Sequence, residues 1–389
     1  MRVGFNACLL SSPNTRGLNR YLVNLLTELG SLGTDLYLYS DRQIHPSHLE
    51  RLVPGSFTAR SSASMRYPIW EQHWLPRQSR ADKIDILHST HNFGLPWLTH
   101  CPRILTLHDA IFHVRAKTLT ARQRYSIKNL IDRYYHWAAR SSANHIITVS
   151  NNSRCDLIDL LGIAPNRITV TLEAADPLFH APASDIERRR IRARYKLDKR
   201  YIFYTGGWES RKNVPFLLRA FAAASPENVD LVLAGEPAGV QRTNIERIVA
   251  ELRLGEHVRL LGWVPDQDLP ALYGEALCFI YPSEYEGFGL QLCEAMAMAC
   301  PVFASRATSL PEVLGSGGDT FSLGDPSELI ALLGRVTQDG NYRNHLAGRA
   351  LMRSGELRWR STAERTLGVY ENVLSRSLPA KSVVETTAG

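Results

Sequence analysis

Residues Ser283 to Ser305 read SEYEGFGLQLCEAMAMACPVFAS, and this stretch decides the fold of the chain. A short apolar run, Cys278 to Tyr281, precedes it and predicts a strand. Beyond the glycines, apolar residues recur at helical spacing at Leu292, Ala295, Met296 and Ala299. A strand that leads through a glycine-rich turn into a helix predicts a βα unit. The loop amides and the helix N-terminus of such a unit form a site for an anion.

Two glutamates flank this turn. Glu286 comes before the glycines, and Glu294 lies about one turn into the predicted helix. Carboxylates in these two places can accept hydrogen bonds from hydroxyl groups at the two ends of one ligand that carries phosphate between them. The layout indicates a nucleotide sugar. The alternative is that Glu286 only favours the helix dipole and that Glu294 is a surface residue.

The same alternation of strand and helix extends along the whole chain. Short apolar runs, each followed by a longer polar or amphipathic stretch, predict βαβ units and parallel sheets. In the first half the runs are Val3–Phe5, Leu36–Tyr39, Ile86–Leu87, Ile104–Leu107, Ile146–Val149 and Ile168–Val170. In the second half they are Ile202–Thr205, Leu231–Ala234, Val258–Leu261, Cys278–Tyr281 and Val302–Ala304.

The chain of 389 residues is too long for one ordinary core and suits two domains. The pattern breaks near Glu173 to Asp185, where two prolines interrupt it. We therefore predict a first Rossmann-like domain over residues 1–175 and a second over 176–359. A helix at about 360–376 is expected to pack back on the first domain, and residues 377–389 are expected to form a flexible tail.

Composition sets broad limits on the function. The formal net charge of +7 fits an anionic partner such as a nucleotide, a phospholipid surface or a nucleic acid, and it also fits a merely soluble protein. The six cysteines are scattered without a CxxC pair, which indicates neither a zinc site nor a disulfide framework. The chain shows no signal peptide and no apolar stretch of membrane-spanning length. We therefore expect a cytoplasmic protein.

A cationic pair follows the first strand of the second domain. Gly206 and Gly207 end this strand, and Arg211 and Lys212 come just before the next predicted helix. Cations in a strand-to-helix loop can neutralise a diphosphate leaving group as a glycosidic bond to phosphate breaks. The alternative is a pair of solvated surface cations.

These segments together resemble the retaining glycosyltransferases of family 4, which have the GT-B fold. Glu286, seven residues and Glu294 match the signature of that family, and the stretches Gly262 to Gly289 and Ser309 to Val313 are similar to it. The resemblance covers most of the second half and weaker parts of the first. It implies an α/β protein whose two Rossmann-like domains carry parallel sheets that face each other across a cleft.

The resemblance also implies roles for individual residues. Glu294 is expected to hold the ribose hydroxyls of the nucleotide, and Glu286 is expected to contact hydroxyls of the donor sugar. Arg211 and Lys212 match the phosphate-binding pair of the family. The backbone amides expected to meet sugar and phosphate are those of Gly287, Phe288, Gly289 and Leu290.

The first domain contributes two further segments. The family usually has a glycine pair at the start of the first helix, whereas this chain keeps Gly17 and has Arg20 close by, which can bind phosphate or acceptor or can be a surface arginine. A His-Asp pair, His108 and Asp109, ends a strand and resembles a family segment whose histidine lies near the donor sugar. Asp109 is expected to fix this loop. His88 ends a neighbouring strand and is a weaker candidate.

No metal and no cofactor is expected. The donor is a substrate, a sugar that we expect to be linked to UDP or GDP. Asp266, Gln267 and Asp268 formally match a DxD metal motif, but they precede a predicted helix and capping explains them. The resemblance needs no metal, because Arg211, Lys212 and the helix dipole can stabilise the leaving group. The segment GFGLQL lacks the third glycine of a dinucleotide fingerprint.

Basic and aromatic residues are interleaved in two parts of the first domain, Met65 to Gln78 and Val114 to Arg140. This pattern suits peripheral contact with an anionic membrane, at the inner face of the cell membrane, or a phosphate-bearing acceptor. It is also compatible with buried aromatics and solvated cations. No motif supports nucleic-acid binding.

The sequence thus predicts an enzyme that moves a sugar from a nucleoside-diphosphate sugar to a hydroxyl acceptor with retention, in bacterial polysaccharide or lipid-linked glycan synthesis. Two alternatives remain open at this point. One is an epimerase or phosphorylase on a similar two-domain scaffold. The other is a non-catalytic protein that binds a nucleotide or a glycan.

Overall fold

The computed structural model describes residues 1–13, 17–62, 65–116, 127–180, 183–235 and 240–377. Two parallel sheets organise these residues, one in each half of the chain, with helices packed on them. The predicted α/β architecture with two parallel sheets is confirmed. The limits of the two domains stay a prediction, and the predicted tail lies outside the described residues apart from Ser377.

The first sheet has seven strands in the order β3-β2-β1-β4-β5-β6-β7, all parallel to their neighbours. Its central strands are apolar and buried because helices cover both faces. The strands are β1 (Arg2–Asn6), β2 (Asp35–Ser40), β3 (Phe57–Ser61), β4 (Ile86–Ser89), β5 (Arg103–Thr106), β6 (His145–Thr148) and β7 (Ile168–Val170). The helices are α1 (Leu18–Ser31), α2 (Pro46–Leu49), α3 (Tyr67–Ile69), α4 (Leu75–Ala81), α5 (Ile111–Ala116), α6 (Ile127–Ser142) and α7 (Asn151–Leu161).

The second sheet has six parallel strands in the order β10-β9-β8-β11-β12-β13. The strands are β8 (Arg200–Thr205), β9 (Val229–Ala234), β10 (Val258–Gly262), β11 (Phe279–Tyr281), β12 (Val302–Ser305) and β13 (Asp319–Phe321). The helices are α8 (Asp185–Tyr195), α9 (Val214–Ala224), α10 (Val240–Glu251), α11 (Leu269–Glu275), α12 (Leu290–Ala297), α13 (Leu310–Leu314), α14 (Pro326–Gln338), α15 (Gly340–Glu356) and α16 (Trp359–Ser377).

The carboxyl ends of the two sheets face each other. The loop after β11 approaches the loop after β5 so closely that a Cβ added to Gly287 would lie 2.4 Å from the carbonyl oxygen of His108. Only glycine fits at this approach. Ser150 Oγ and Ser153 Oγ also donate hydrogen bonds to the Gly287 carbonyl, at 2.7 and 3.0 Å. The cleft between the sheets is therefore closed in this structure.

The last helix returns to the first half of the molecule. α16 packs against α1 and, at Trp359, its indole Nε1 donates a 2.9 Å hydrogen bond to the Ala175 carbonyl. Further along, the Tyr370 hydroxyl lies 2.6 Å from His88 Nδ1. His88 is fully buried and its other ring nitrogen contacts the Thr106 hydroxyl, so this histidine belongs to the packing of α16 on the sheet.

A carboxylate of the second half caps a helix of the first half. Glu312, in α13, accepts hydrogen bonds from the backbone N–H groups of Asn151 and Asn152 at the start of α7, the shortest of them 2.9 Å long. It also accepts one from the Asn151 side chain at 2.8 Å. A negative charge at a helix N-terminus satisfies unpaired amides and interacts favourably with the helix dipole. This contact exists only while the cleft is closed.

We expect Glu312→Ala to shift the molecule towards an open cleft. Loss of a capping group costs about 1 kcal/mol, which lowers the ratio of closed to open molecules roughly fivefold. Small-angle X-ray scattering checks this, since opening raises the radius of gyration. Glu328→Ala is the matched control because Glu328 pairs with Arg306 within the second half. Equal radii for the Glu312 variant and the unmodified protein would contradict the expectation.

Candidate active site

One cavity of about 420 Å³ lies between the facing carboxyl ends of the two sheets. Its volume is within the range of small-molecule sites. Apart from the weaker candidate His88, every residue that the sequence placed at the site lines it, namely Gly17, Arg20, His108, Asp109, Gly206, Gly207, Arg211, Lys212, Glu286, Gly287, Phe288, Gly289, Leu290 and Glu294. The structure therefore brings all of them together. The cavity is also lined by Leu18, Val149, Glu173, Thr205, Leu269 and Gln291.

The two cations of the second half share one carboxylate. Arg211 Nη1 and Lys212 Nζ lie 2.9 and 2.7 Å from Glu286 Oε1. Lys212 is buried and donates a second hydrogen bond, 2.7 Å long, to the Tyr281 hydroxyl, whereas Arg211 remains about a quarter exposed. The 3₁₀ turn Ser210–Lys212 after β8 places both cations at the wall of the cavity.

This pairing keeps Glu286 ionised. Burial alone would raise the pKa of the Glu286 carboxyl, but Lys212 and Arg211 outweigh it and lower that pKa below its ordinary value. Burial lowers the pKa of the Lys212 ammonium, and Glu286 opposes that effect. The three side chains together form a buried unit with a net positive charge next to the cavity.

The loop that follows Glu286 presents backbone donors. Within the described ranges, the N–H groups of residues 287 to 290 donate no hydrogen bond to protein atoms. Gly289 caps α12 with φ of +108°, a conformation that favours glycine, and a Cβ there would lie 2.9 Å from Leu310 Cδ2. These free amides at the start of a helix can bind an anion.

Glu294 is buried in the next turn of α12 and already has two partners. Arg20 Nη1 donates to Glu294 Oε1, and the Tyr273 hydroxyl donates to Oε2 at 3.0 Å. Arg20 comes from α1 of the first half, so this ion pair spans the cleft. Each carboxylate oxygen keeps a free lone pair, and the group still lines the cavity.

Arg20 is bound by carboxylates from three segments. Besides Glu294, its guanidinium contacts Asp266 at 2.8 Å and Asp176 at 3.8 Å. Asp176 lies in the linker between the sheets, which follows β7 and precedes α8. Burial alone would lower the pKa of Arg20, but Glu294 and Asp266 outweigh it and raise that pKa. Arg51 also pairs with Asp176, at 2.6 Å. The arginine predicted to bind phosphate or acceptor is thus engaged by acids in this structure.

His108 is held on both ring nitrogens. Nε2 lies 2.9 Å from the Thr90 carbonyl oxygen, and Nδ1 lies 3.1 Å from Glu173 Oε1. The neighbouring Asp109 accepts a 3.0 Å hydrogen bond from the backbone N–H of Ile111 and so fixes its own loop. Burial raises the pKa of the Asp109 carboxyl.

The segment Asp266 to Asp268 differs from its sequence interpretation. It forms a 3₁₀ turn before α11, and neither aspartate side chain caps that helix. Asp268 instead pairs with Arg190 and Arg194, at 2.8 and 3.0 Å. The capping prediction was wrong because these side chains have arginine partners far along the chain. Metal independence stays a prediction.

Sequence reasoning missed Glu173 and Asp266. Glu173 lies just beyond the end of β7, in the stretch that was interpreted only as a break between domains. The rule that ligands bind beyond the carboxyl ends of parallel strands applies to that position and would have marked it. Nothing in the local sequence indicates that Asp266 pairs with a residue near the N-terminus.

Two family models match the chain. The model described as Glycosyltransferase Family 4 matches residues 15–177, and the one described as Glycosyl transferases group 1 matches residues 185–351. The first match ends and the second begins between β7 and β8.

Curated relatives agree with these models. The chain is 33% identical to O-antigen chain mannosyltransferase B of Escherichia coli over 295 residues, which cover 75% of each protein. It is 30% identical to MMP alpha-(1->4)-mannosyltransferase of Mycolicibacterium hassiacum over 313 residues, or 76% of this chain and 72% of that protein.

Solved structures share the fold. HepE of Anabaena, crystallised with UDP and glucose, superposes with a TM-score of 0.74 at 17% identity over 96% of this chain and 100% of that one. WaaG, a glycosyltransferase involved in lipopolysaccharide biosynthesis, superposes with a TM-score of 0.72 at 15% identity over 95% and 99%. The chain therefore belongs to the family 4 glycosyltransferases and is a hexosyltransferase of the GT-B fold.

Proposed function

We propose that this glycosyltransferase moves mannose from a nucleoside-diphosphate mannose to a hydroxyl group of a glycan acceptor, with retention, in the synthesis of a bacterial surface polysaccharide. The observation that carries the proposal is one cavity that joins Arg211, Lys212 and Glu286 to Glu294 across four loop amides that donate to no protein atom in the described ranges. The choice of mannose is supported by two relatives that are named mannosyltransferases. Retention is supported by the family resemblance.

The arrangement suits a diphosphate bound between two hydroxyl-bearing groups. Glu294 accepts hydrogen bonds from the ribose, and the loop amides together with Arg211 and Lys212 bind the phosphates. Negative charge grows on the leaving diphosphate as the bond to the sugar breaks, and these donors stabilise it. Such preorganised donors are each worth about a hundredfold or more in rate. When Arg211 and Lys212 bind phosphate instead of Glu286, Glu286 can accept hydrogen bonds from the sugar hydroxyls.

We expect Glu294→Gln to raise the Kd for GDP-mannose roughly 10- to 100-fold, because a hydrogen bond to a charged group is worth about 1.5–3 kcal/mol. Calorimetric titration with GDP-mannose, UDP-glucose and ADP-glucose, with chelator present, measures this and tests metal independence. Thermal melts check that the variant is folded.

Glu275→Gln is the matched control for that titration. Glu275 lies in α11 of the same half and pairs with Arg192, away from the cavity. An unchanged affinity of the Glu294 variant for GDP-mannose would contradict the assignment of this site. Product analysis separates transfer from the rival reactions, since an epimerase or a phosphorylase places no sugar on a second glycan hydroxyl.

We expect Arg20→Ala to make donor affinity depend on pH. Burial raises the pKa of the Glu294 carboxyl and Arg20 opposes this, so removing Arg20 raises that pKa further. The carboxylate form is then lost at a higher pH, and affinity for GDP-mannose falls earlier as the pH is lowered from neutral. The unmodified protein should show a smaller fall in the same calorimetric series.

Arg51→Ala is the control for Arg20→Ala, because Arg51 shares Asp176 with Arg20 and is not among the cavity-lining residues. Arg20→Lys keeps one charge but cannot span Glu294 and Asp266 together, so an intermediate result is expected. Equal affinity for Arg20→Ala and the unmodified protein at every pH would contradict this role.

We also propose that the first half of the enzyme contacts an anionic membrane. Exposed apolar side chains lie close together there, namely Trp97, Leu98, Tyr134 and Trp137. The Trp97 and Trp137 rings lie 5.4 Å apart. Leu98 shares a groove with Arg77 and Arg80, both exposed. Cations beside exposed aromatics suit an anionic lipid surface.

Part of the basic stretch predicted to serve this contact, residues 117–126, lies outside the described residues. In the ranges that are described, no helix combines the length and the apolar character needed to cross a bilayer.

We expect Leu98→Asp to lower binding to phosphatidylglycerol-containing vesicles about fivefold or more, since one charge near an anionic surface is worth about 1 kcal/mol. Leu98 is 83% exposed, so folding should be unaffected, and the new carboxylate repels the lipid headgroups. Co-sedimentation at two salt concentrations is the measurement. Met352→Asp is the control, since Met352 is a comparably exposed apolar residue on α15. Equal binding by the Leu98 and Met352 variants, or no binding by the unmodified enzyme, would rule the contact out.

A further inference from the structure

Among the residues the structure describes, the cavity wall has two carboxylates to which the proposed function gives no part, Asp109, which fixes its own loop, and Glu173. Glu173 lies in the linker that joins the two sheets, after β7, and is 3% exposed. Buried carboxylates are costly unless they are paired, so a role for its partner is expected.

The partner is His108, and the groups that face its two ring nitrogens indicate where its protons lie. The Thr90 carbonyl oxygen, 2.9 Å from Nε2, can only accept a hydrogen bond, so Nε2 carries a proton. Nδ1 lies 3.1 Å from Glu173 Oε1. When Glu173 is ionised, its oxygens can only accept, so Nδ1 donates to Oε1. The contact pairs an imidazolium with a carboxylate.

The other rings around the pair are neutral. The Tyr21 ring packs edge-on against the His108 ring with centroids 4.6 Å apart. Burial, assisted by the charge of His108, lowers the pKa of both His88 and His91 to about 3, so these two rings are neutral. The titratable groups around the pair are Tyr21, His88, His91, Asp109 and Cys293.

Deprotonation of His108 would turn the attraction between His108 and Glu173 into repulsion. A neutral ring that keeps its proton on Nε2 turns a lone pair on Nδ1 towards the Glu173 carboxylate, and two acceptors repel each other. The linker and the ring would then separate. Since both residues line the cavity, its wall depends on the imidazolium form.

We infer that Glu173 is a positioning residue that holds His108 as an imidazolium in the cavity wall and thereby couples the linker between the sheets to sugar transfer. The inference rests on the proposed function for its kinetic consequence but not for the pairing itself. Neither nitrogen of His108 is free to bind substrate, so the ring acts as a fixed, charged part of the wall.

The direction of the pH dependence follows from the pair. Burial alone would lower the pKa of His108, but the hydrogen bond and charge of Glu173 outweigh it and raise that pKa above its ordinary value. The paired form is present below the raised pKa and is lost as the pH rises through it. Removing the charge of Glu173 should move this loss to lower pH.

The test is Glu173→Gln, with two readouts. Histidine side-chain NMR on the protein alone should show the pKa of His108 falling by about one unit or more, the usual effect of losing a close opposite charge. The rate of GDP release from GDP-mannose should then decline on the alkaline side at a pH lower by the same amount. Glu173→Asp keeps the carboxylate, so the pKa of His108 and the pH profile of the rate should both stay close to those of the unmodified protein.

Thr171→Val is the matched control, because it removes a buried hydroxyl from the same linker, and it should move neither readout. An unchanged pKa of His108 in Glu173→Gln would overturn the inference. So would a shifted pKa with an unshifted rate profile, which would make Glu173 purely structural. If NMR shows the shift in the pKa of His108 but the unmodified enzyme does not turn over GDP-mannose, the proposed donor is wrong and the pairing of Glu173 with His108 is confirmed.

Discussion

The charge of Arg20 is the constraint on which the closed molecule depends. The side chain is 4% exposed, and a guanidinium buried to that extent is several kcal/mol unfavourable unless carboxylates surround it. Its partners come from the linker, through Asp176, and from the second half, through Asp266 and Glu294. The first helix can keep this residue buried only while those segments are in place. Closure of the cleft is therefore as much an electrostatic requirement as an apolar one.

In the second half, a buried carboxylate depends on cations in the same way that Arg20 depends on carboxylates. Glu286 is buried between Arg211 and Lys212, so the cations that face a phosphate already have a carboxylate partner. A ligand with phosphate alone has to draw them away and leave Glu286 unpaired. A ligand that also carries sugar hydroxyls gives Glu286 new donors at the same time. This exchange favours a whole nucleotide sugar over its separate parts, because only the whole ligand satisfies every group.

The sequence predicted the parallel sheets and fourteen of the twenty cavity-lining residues because most of these follow local rules. Apolar runs of strand length predict the strands, and residues just beyond the strand ends lie at the facing edges of the sheets. Glu286, Arg211 and their loops obey that rule. The pairings were not predictable in the same way, since Arg20 meets Asp266 across 246 positions and His108 meets Glu173 across 65. Such contacts depend on how the two sheets are oriented relative to each other, and a local sequence pattern does not predict that orientation.

The linker shows how those long-range contacts set the geometry of the site. Two carboxylates three positions apart, Glu173 and Asp176, each pair with cations of the first half, and the two small residues between them, Ala174 and Ala175, are buried. Small side chains let the linker lie close to the sheet, while charge fixes where along the sheet it lies. Because the second sheet begins a short distance beyond the linker, its position depends on those pairs. A change in charge at the cavity wall therefore alters the cleft itself, and binding, protonation and closure are parts of one equilibrium.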